Sequence, residues 1–68
     1  MTEIHFVIEE AAEGGYIARA VGVDIFTEAD DLPVLRERLR DAVHCHFEDG
    51  DRPALIRLHI SREEVIAA

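Results

Sequence analysis

Residues 31–49, DLPVLRERLRDAVHCHFED, decide the fold. Leu32, Leu35, Leu39, Ala42, Val43, His46 and Phe47 recur there at three-, four- and seven-residue spacings, the period of an amphipathic helix. At about 100° per residue these side chains form one stripe centred on Leu39, with Glu37, Asp41, His44 and Glu48 pointing away from it. Asp31 is placed to cap the free amides of the first turn, where Pro33 is tolerated. At the other end Gly50 suits the left-handed residue after a helix, and Pro53 bars continuation. Such a stripe needs an apolar surface to lie on, and the flanking segments read as a sheet.

Within residues 1–10, Ile4, Phe6 and Ile8 alternate with His5, Val7 and Glu9, the two-residue period of a strand. Gly14-Gly15 supplies the positive φ of a hairpin turn between this strand and Tyr16–Val21. In the second strand Tyr16, Ala18 and Ala20 are expected to face the helix, because the opposite parity would bury Arg19 without a partner. Gly22 permits another reversal into a short edge strand at Ile25-Phe26-Thr27. Beyond the helix, residues 54–61 alternate Ile56, Leu58 and Ile60 with Leu55, Arg57 and His59 as a last strand. Ser61-Arg62-Glu63-Glu64 matches a capping box, but so few residues follow that a frayed tail is expected. Three strands in a meander followed by a right-handed crossover place the fourth beside the first and parallel to it. The expected fold is α+β, β-β-β-α-β, two-layered, with one helix on one face of a sheet of order 3-2-1-4.

A chain of 68 residues makes a single domain over residues 1–68 and buries only roughly 60% of its unfolded surface, so a partner or self-association is expected. Fifteen acids against seven arginines, with no lysine, give a net charge of −8, which repels phosphate and argues against nucleic-acid binding by this chain alone. No run approaches the roughly 18 apolar residues of a membrane span, and no signal peptide is evident, so a cytoplasmic protein is expected. Cys45 is the sole cysteine, which rules out an intrachain disulfide.

His44-Cys45-His46 has the composition of a metal site but not the geometry. Residues two apart on a helix point to opposite sides, and a helical ligand pair needs a spacing of three or four. His46, on the apolar stripe, is expected to be a buried neutral histidine, and Cys45 a small apolar filler. His5 and His59 fall on the polar parity of neighbouring strands. A two-histidine site there would want an orienting carboxylate, and the sequence shows none. No metal site, no cofactor and no catalytic residue is expected. One helix over one sheet also leaves little room for the closed pocket of an enzyme.

The chain resembles the HicB-like antitoxin family. The resemblance rests on Gly15-Tyr16-Ile17-Ala18-Arg19 opening the second strand, on Phe26-Thr27-Glu28-Ala29-Asp30-Asp31-Leu32 leading into the helix, and on the element order. It implies a partial ribonuclease-H-like fold without nuclease activity, and a non-enzymatic domain of a toxin–antitoxin pair that blocks a small basic RNA-cleaving toxin. The chain departs from family habit at Gly22-Val23-Asp24 and at Pro33-Val34. It also ends where longer members continue into a DNA-binding segment, so a solitary domain without operator binding is expected.

One helix shields one side of a sheet, and the other parity carries His5, Val7, Ile17, Arg19, Val21, Leu55, Arg57 and His59. This mixed surface is the expected interface of a homodimer. Pairing through the edge of the last strand is the competing route. The alternative function is a small homo-oligomeric domain that responds to a ligand or metal through its surface histidines.

Overall fold

The computed structural model describes residues 2–62 and 64–68. Met1, placed above at the start of the first strand, and Glu63, within the capping-box pattern, lie outside the described residues. The elements run β1 (Glu3–Glu10), β2 (Tyr16–Ala20), β3 (Phe26–Ala29), α1 (Leu32–His46) and β4 (Leu55–Ser61). They form one four-stranded sheet of order β3-β2-β1-β4, antiparallel except where β4 lies parallel to β1. The expected topology and order are those observed.

The turns follow from the residues in them. Gly14 and Gly15 carry φ of 99° and 81°, and Ala11 closes the β1–β2 hairpin by donating to the Gly15 carbonyl and accepting from the Gly14 amide, each at 3.0 Å. A Cβ on Gly15 would stand 2.9 Å from the Ala29 carbonyl oxygen, so this position needs glycine for space as well as for φ. At the helix start Asp31 Oδ1 accepts from the Val34 amide at 2.8 Å, the expected cap, with Pro33 in the first turn.

The core consists of Ile4, Phe6, Ile8, Ala18, Ile25, Ala29, Leu35, Leu39 and Val43, with Tyr16, Ala20, Ile56 and Leu58 packed against it. Ala18, fully buried, allows α1 to lie close over β2, and the parity expected of β2 is the one found. The helix sits nearest to β3 and β2, so the inner side of β4 is less covered: Ile56 and Leu58 are half-buried and Ile60 is exposed.

Four details differ from the sequence reading. The edge strand runs Phe26–Ala29, with Ile25 and Ala29 inward and Phe26 outward. The helix ends at His46, where Phe47 turns extended at φ −111° while its amide still bonds to the Val43 carbonyl. Gly50 is not the left-handed terminator, since positive φ occurs only at Gly14, Gly15 and Gly22 among the described residues. His46 is exposed rather than buried. Its period is right, but the last turn of α1 lies beside Asp24, Ile25 and Phe26 at the sheet's margin, and Phe47 is the half-buried residue packed against the core. No helix among the described residues is long and apolar enough to cross a membrane.

Candidate functional site

Strand register assembles the face that α1 leaves uncovered. Phe26 on β3 pairs with Arg19 on β2, Arg19 with Val7 on β1, and Val7 with His59 on β4, so one row crosses all four strands. Beside it His5 pairs with Arg57, and the His5 carbonyl accepts from the Val21 amide at 2.9 Å. Side chains alternate along each strand, so Phe26 and Glu28, Ile17 and Arg19, Glu3, His5, Val7 and Glu9, and Leu55, Arg57 and His59 share this outer face, and Val21, one residue past β2 and bonded to His5, continues it. The structure therefore brings together all seven residues His5, Val7, Ile17, Arg19, Val21, Arg57 and His59 named from the sequence.

Large apolar side chains on this face meet solvent. Val21 is 59% exposed, Phe26 57%, Leu55 55% and Val7 38%. Charge is interleaved with this apolar surface. The Arg19 guanidinium carbon stands 5.7 Å from the centre of the Phe26 ring, within cation–π range. Phe26 and Glu3 are members of this surface that the sequence reading did not assign. A three-residue strand gave Phe26 no parity, although Ile25 and Ala29, both apolar and in phase, were the available signal.

A polar chain runs along the β1–β4 seam. Arg57 Nε donates to Glu3 Oε2 at 2.8 Å, and Glu3 Oε1 lies 3.2 Å from His5 Nε2. His5 Nδ1 in turn lies 2.8 Å from His59 Nε2. The Arg57 guanidinium, and next the His5 ring, hold the Glu3 carboxyl below the ordinary carboxylate range, and Glu3 raises the pKa of Arg57 in return. Because a carboxylate only accepts, His5 Nε2 carries the hydrogen on the Glu3 side and a neutral His5 presents the Nδ1 lone pair to His59. Glu3 is the orienting carboxylate that the sequence reading found lacking. Its place two residues before His5, on the same parity of β1, was the available signal, and only its pairing with Arg57 depends on the parallel register of β4 against β1.

The helix histidines behave otherwise. His44 borders a groove of about 480 Å³ between α1 and β4, with Arg36, Arg40 and residues 53–56. His46 lies on the other flank with Cys45, beside Asp24 and Phe26. Cys45 is exposed rather than filling an apolar site. Among the described residues, no group of three or more His, Cys, Asp or Glu side chains within this chain is placed to hold a metal ion. A second cleft, of about 500 Å³, opens where the β1–β2 turn meets the end of β3, and Glu13, Glu28, Asp30, Tyr16 and Arg38 line it.

No family model matches the chain. No solved structure matches it either. Curated relatives do. A UPF0150 protein of Archaeoglobus fulgidus is 54% identical over 50 residues, covering 74% of this chain and 74% of the relative. A UPF0150 protein of Thermotoga maritima is 37% identical over 65 residues, covering 96% of this chain and 91% of the relative. Identity at that level over most of both lengths reflects common descent, and the chain belongs to the UPF0150 family.

Proposed function

We propose that the protein is a non-enzymatic protein-interaction module of HicB-like type, which pairs with itself through the outer face of the sheet and takes a small basic protein as a further partner. The observation that carries this reading is the outer face itself. Its exposed valines, leucine and phenylalanine, set among Arg19, Arg57, His5 and His59, have the apolar, aromatic and arginine content of an interface core, with Glu3, Glu9 and Glu28 on the same parity toward its ends. Pairing two such faces removes apolar surface from water in a domain with a small core. The resemblance of Gly15–Arg19 and Phe26–Leu32 to the HicB-like family also supports this reading.

The charge distribution favours a basic partner. β1 and β3 end, and β2 and α1 begin, at one pole of the molecule, which gathers Glu9, Glu10, Glu13, Glu28, Asp30 and Asp31 around the 500 Å³ cleft. With a net charge of −8 the chain attracts cationic proteins and repels nucleic acid.

The test is co-expression with a small basic protein encoded beside it. The two are expected to co-elute, and a Glu28→Lys, Asp30→Lys variant is expected to lose the partner while remaining folded. Absence of a small basic neighbour, or separate elution of the two proteins, would end the antitoxin-like reading.

A further inference from the structure

We propose that His5 and His59 form a two-imidazole binding site for a late first-row divalent cation such as zinc, completed by the same two residues of a second copy across the outer face. The proposal rests on the outer-face reading above for its second half, and on the β1–β4 seam for its first.

Three observations within the chain point to a cation. His5 Nδ1 and His59 Nε2 face each other at 2.8 Å, so two nitrogen lone pairs converge on one point once the hydrogen between them is removed. The rings are within 17° of parallel with centroids 5.1 Å apart, and the close approach is between the nitrogens, not between ring faces. Zinc at about 2.0–2.1 Å from each nitrogen, in tetrahedral geometry, sets ligand nitrogens about 3.3 Å apart. The existing separation must therefore open by about 0.5 Å, and each ring must tilt so that its lone pair points at the cation instead of at the other nitrogen, which torsion allows because both side chains sit at the surface.

The third observation is Glu3. A histidine that ligates a metal commonly donates its other ring N–H to a carboxylate, which fixes the tautomer and makes the ligating nitrogen a better donor. His5 has this arrangement: Nε2 faces Glu3 Oε1 at 3.2 Å, and Glu3 is itself held by Arg57 at 2.8 Å. Binding needs no oxidation and no net proton release from a neutral pair. His59 moves its hydrogen from Nε2 to Nδ1, and both facing nitrogens then donate electron pairs to the cation.

Two imidazoles leave a tetrahedral cation half-coordinated, and this chain does not supply a third ligand of its own among the described residues. A two-fold pairing of outer faces brings the same His5 and His59 from the other copy, giving four nitrogens and one cation for every two chains. Val7, paired with His59 in the register, and Val21, bonded to His5, would close apolar surface around the site.

The experiment titrates the metal-free protein with zinc by calorimetry while sedimentation equilibrium follows mass. One zinc per two chains is expected to bind, and to tighten self-association. His5→Ala and His59→Ala are each expected to abolish it. Glu3→Gln is expected to weaken zinc binding by about 10- to 100-fold, the usual effect of removing an orienting carboxylate. His44→Ala with His46→Ala is expected to leave it unchanged. No binding tighter than tens of micromolar, one zinc per chain with no change in mass, or binding that survives His59→Ala would each overturn the proposal. A dimer that forms without zinc and ignores it would overturn the metal site alone and leave the outer-face reading standing. Circular dichroism on each variant separates loss of a ligand from loss of fold.

Discussion

His5 Nδ1 stands 2.8 Å from His59 Nε2 although the two residues are 54 positions apart. The contact exists because β4 returns beside β1 in parallel, which sets His5 opposite Arg57 and Val7 opposite His59. The same seam ties Glu3 to both strands, so the outer surface of the sheet is cross-linked by polar side chains over a packed apolar core.

Glu3 gives the fold a dependence on acid. Its folded pKa is depressed by Arg57 and His5, so the unfolded chain binds the proton first. The stability it contributes is present above its unfolded value and is lost as pH falls through the folded one. Urea unfolding is expected to find Glu3→Gln less stable than wild type at pH 7 and indistinguishable from it at about pH 2, below the usual carboxylate range. An equal difference at both pH values would show that the seam does not act through the charge of Glu3.

Leu39, at the centre of the helix stripe and 1% exposed, touches the heart of the core. Leu39→Ala is expected to cost roughly 2–5 kcal/mol, a large share of what so small a domain has. Thermal unfolding reads this directly, and a melting point within a few degrees of wild type would contradict the packing described.

His46→Ala separates period from position. His46 shares the phase of Leu39 and lies exposed, so its replacement is expected to change stability by less than about 0.5 kcal/mol. Val43→Ala, one turn earlier and buried, is expected to cost on the order of 2 kcal/mol. Similar losses at the two positions would place His46 back in the core.

What could be read from the sequence divides along the same physical line. The periods of Leu35, Leu39 and Val43, and of Ile4, Phe6 and Ile8, are local properties, and they gave helix, strands and inward faces. The right-handed crossover then fixed the order. His46 was misplaced because a period does not say where the sheet beneath it stops. Phe26 was missed because three residues carry too little alternation to assign a face. Glu3 lies two residues before His5 on the same parity and was within reach of the sequence, whereas its pairing with Arg57 depends on a register between residues far apart in the chain.

The hairpin glycines differ in what they tolerate. Gly14→Ala meets open space and is expected to cost about 1–2 kcal/mol, the penalty of a left-handed φ for a residue with Cβ. Gly15→Ala carries that penalty and also drives Cβ to 2.9 Å from the Ala29 oxygen, so it is expected to cost more and to disturb the β2–β3 pairing. Denaturant melts of the two variants decide it, and equal losses would contradict the close approach.

Sedimentation equilibrium of the full chain at tens of micromolar tests the outer-face claim most directly. The wild type is expected to show twice the 7.7 kDa chain mass, and Val7→Glu with Ile17→Glu to return it to monomer with the fold intact. A double variant that stays paired would move the contact to the edge of β4, and a wild type that sediments as a monomer would contradict self-association through this face.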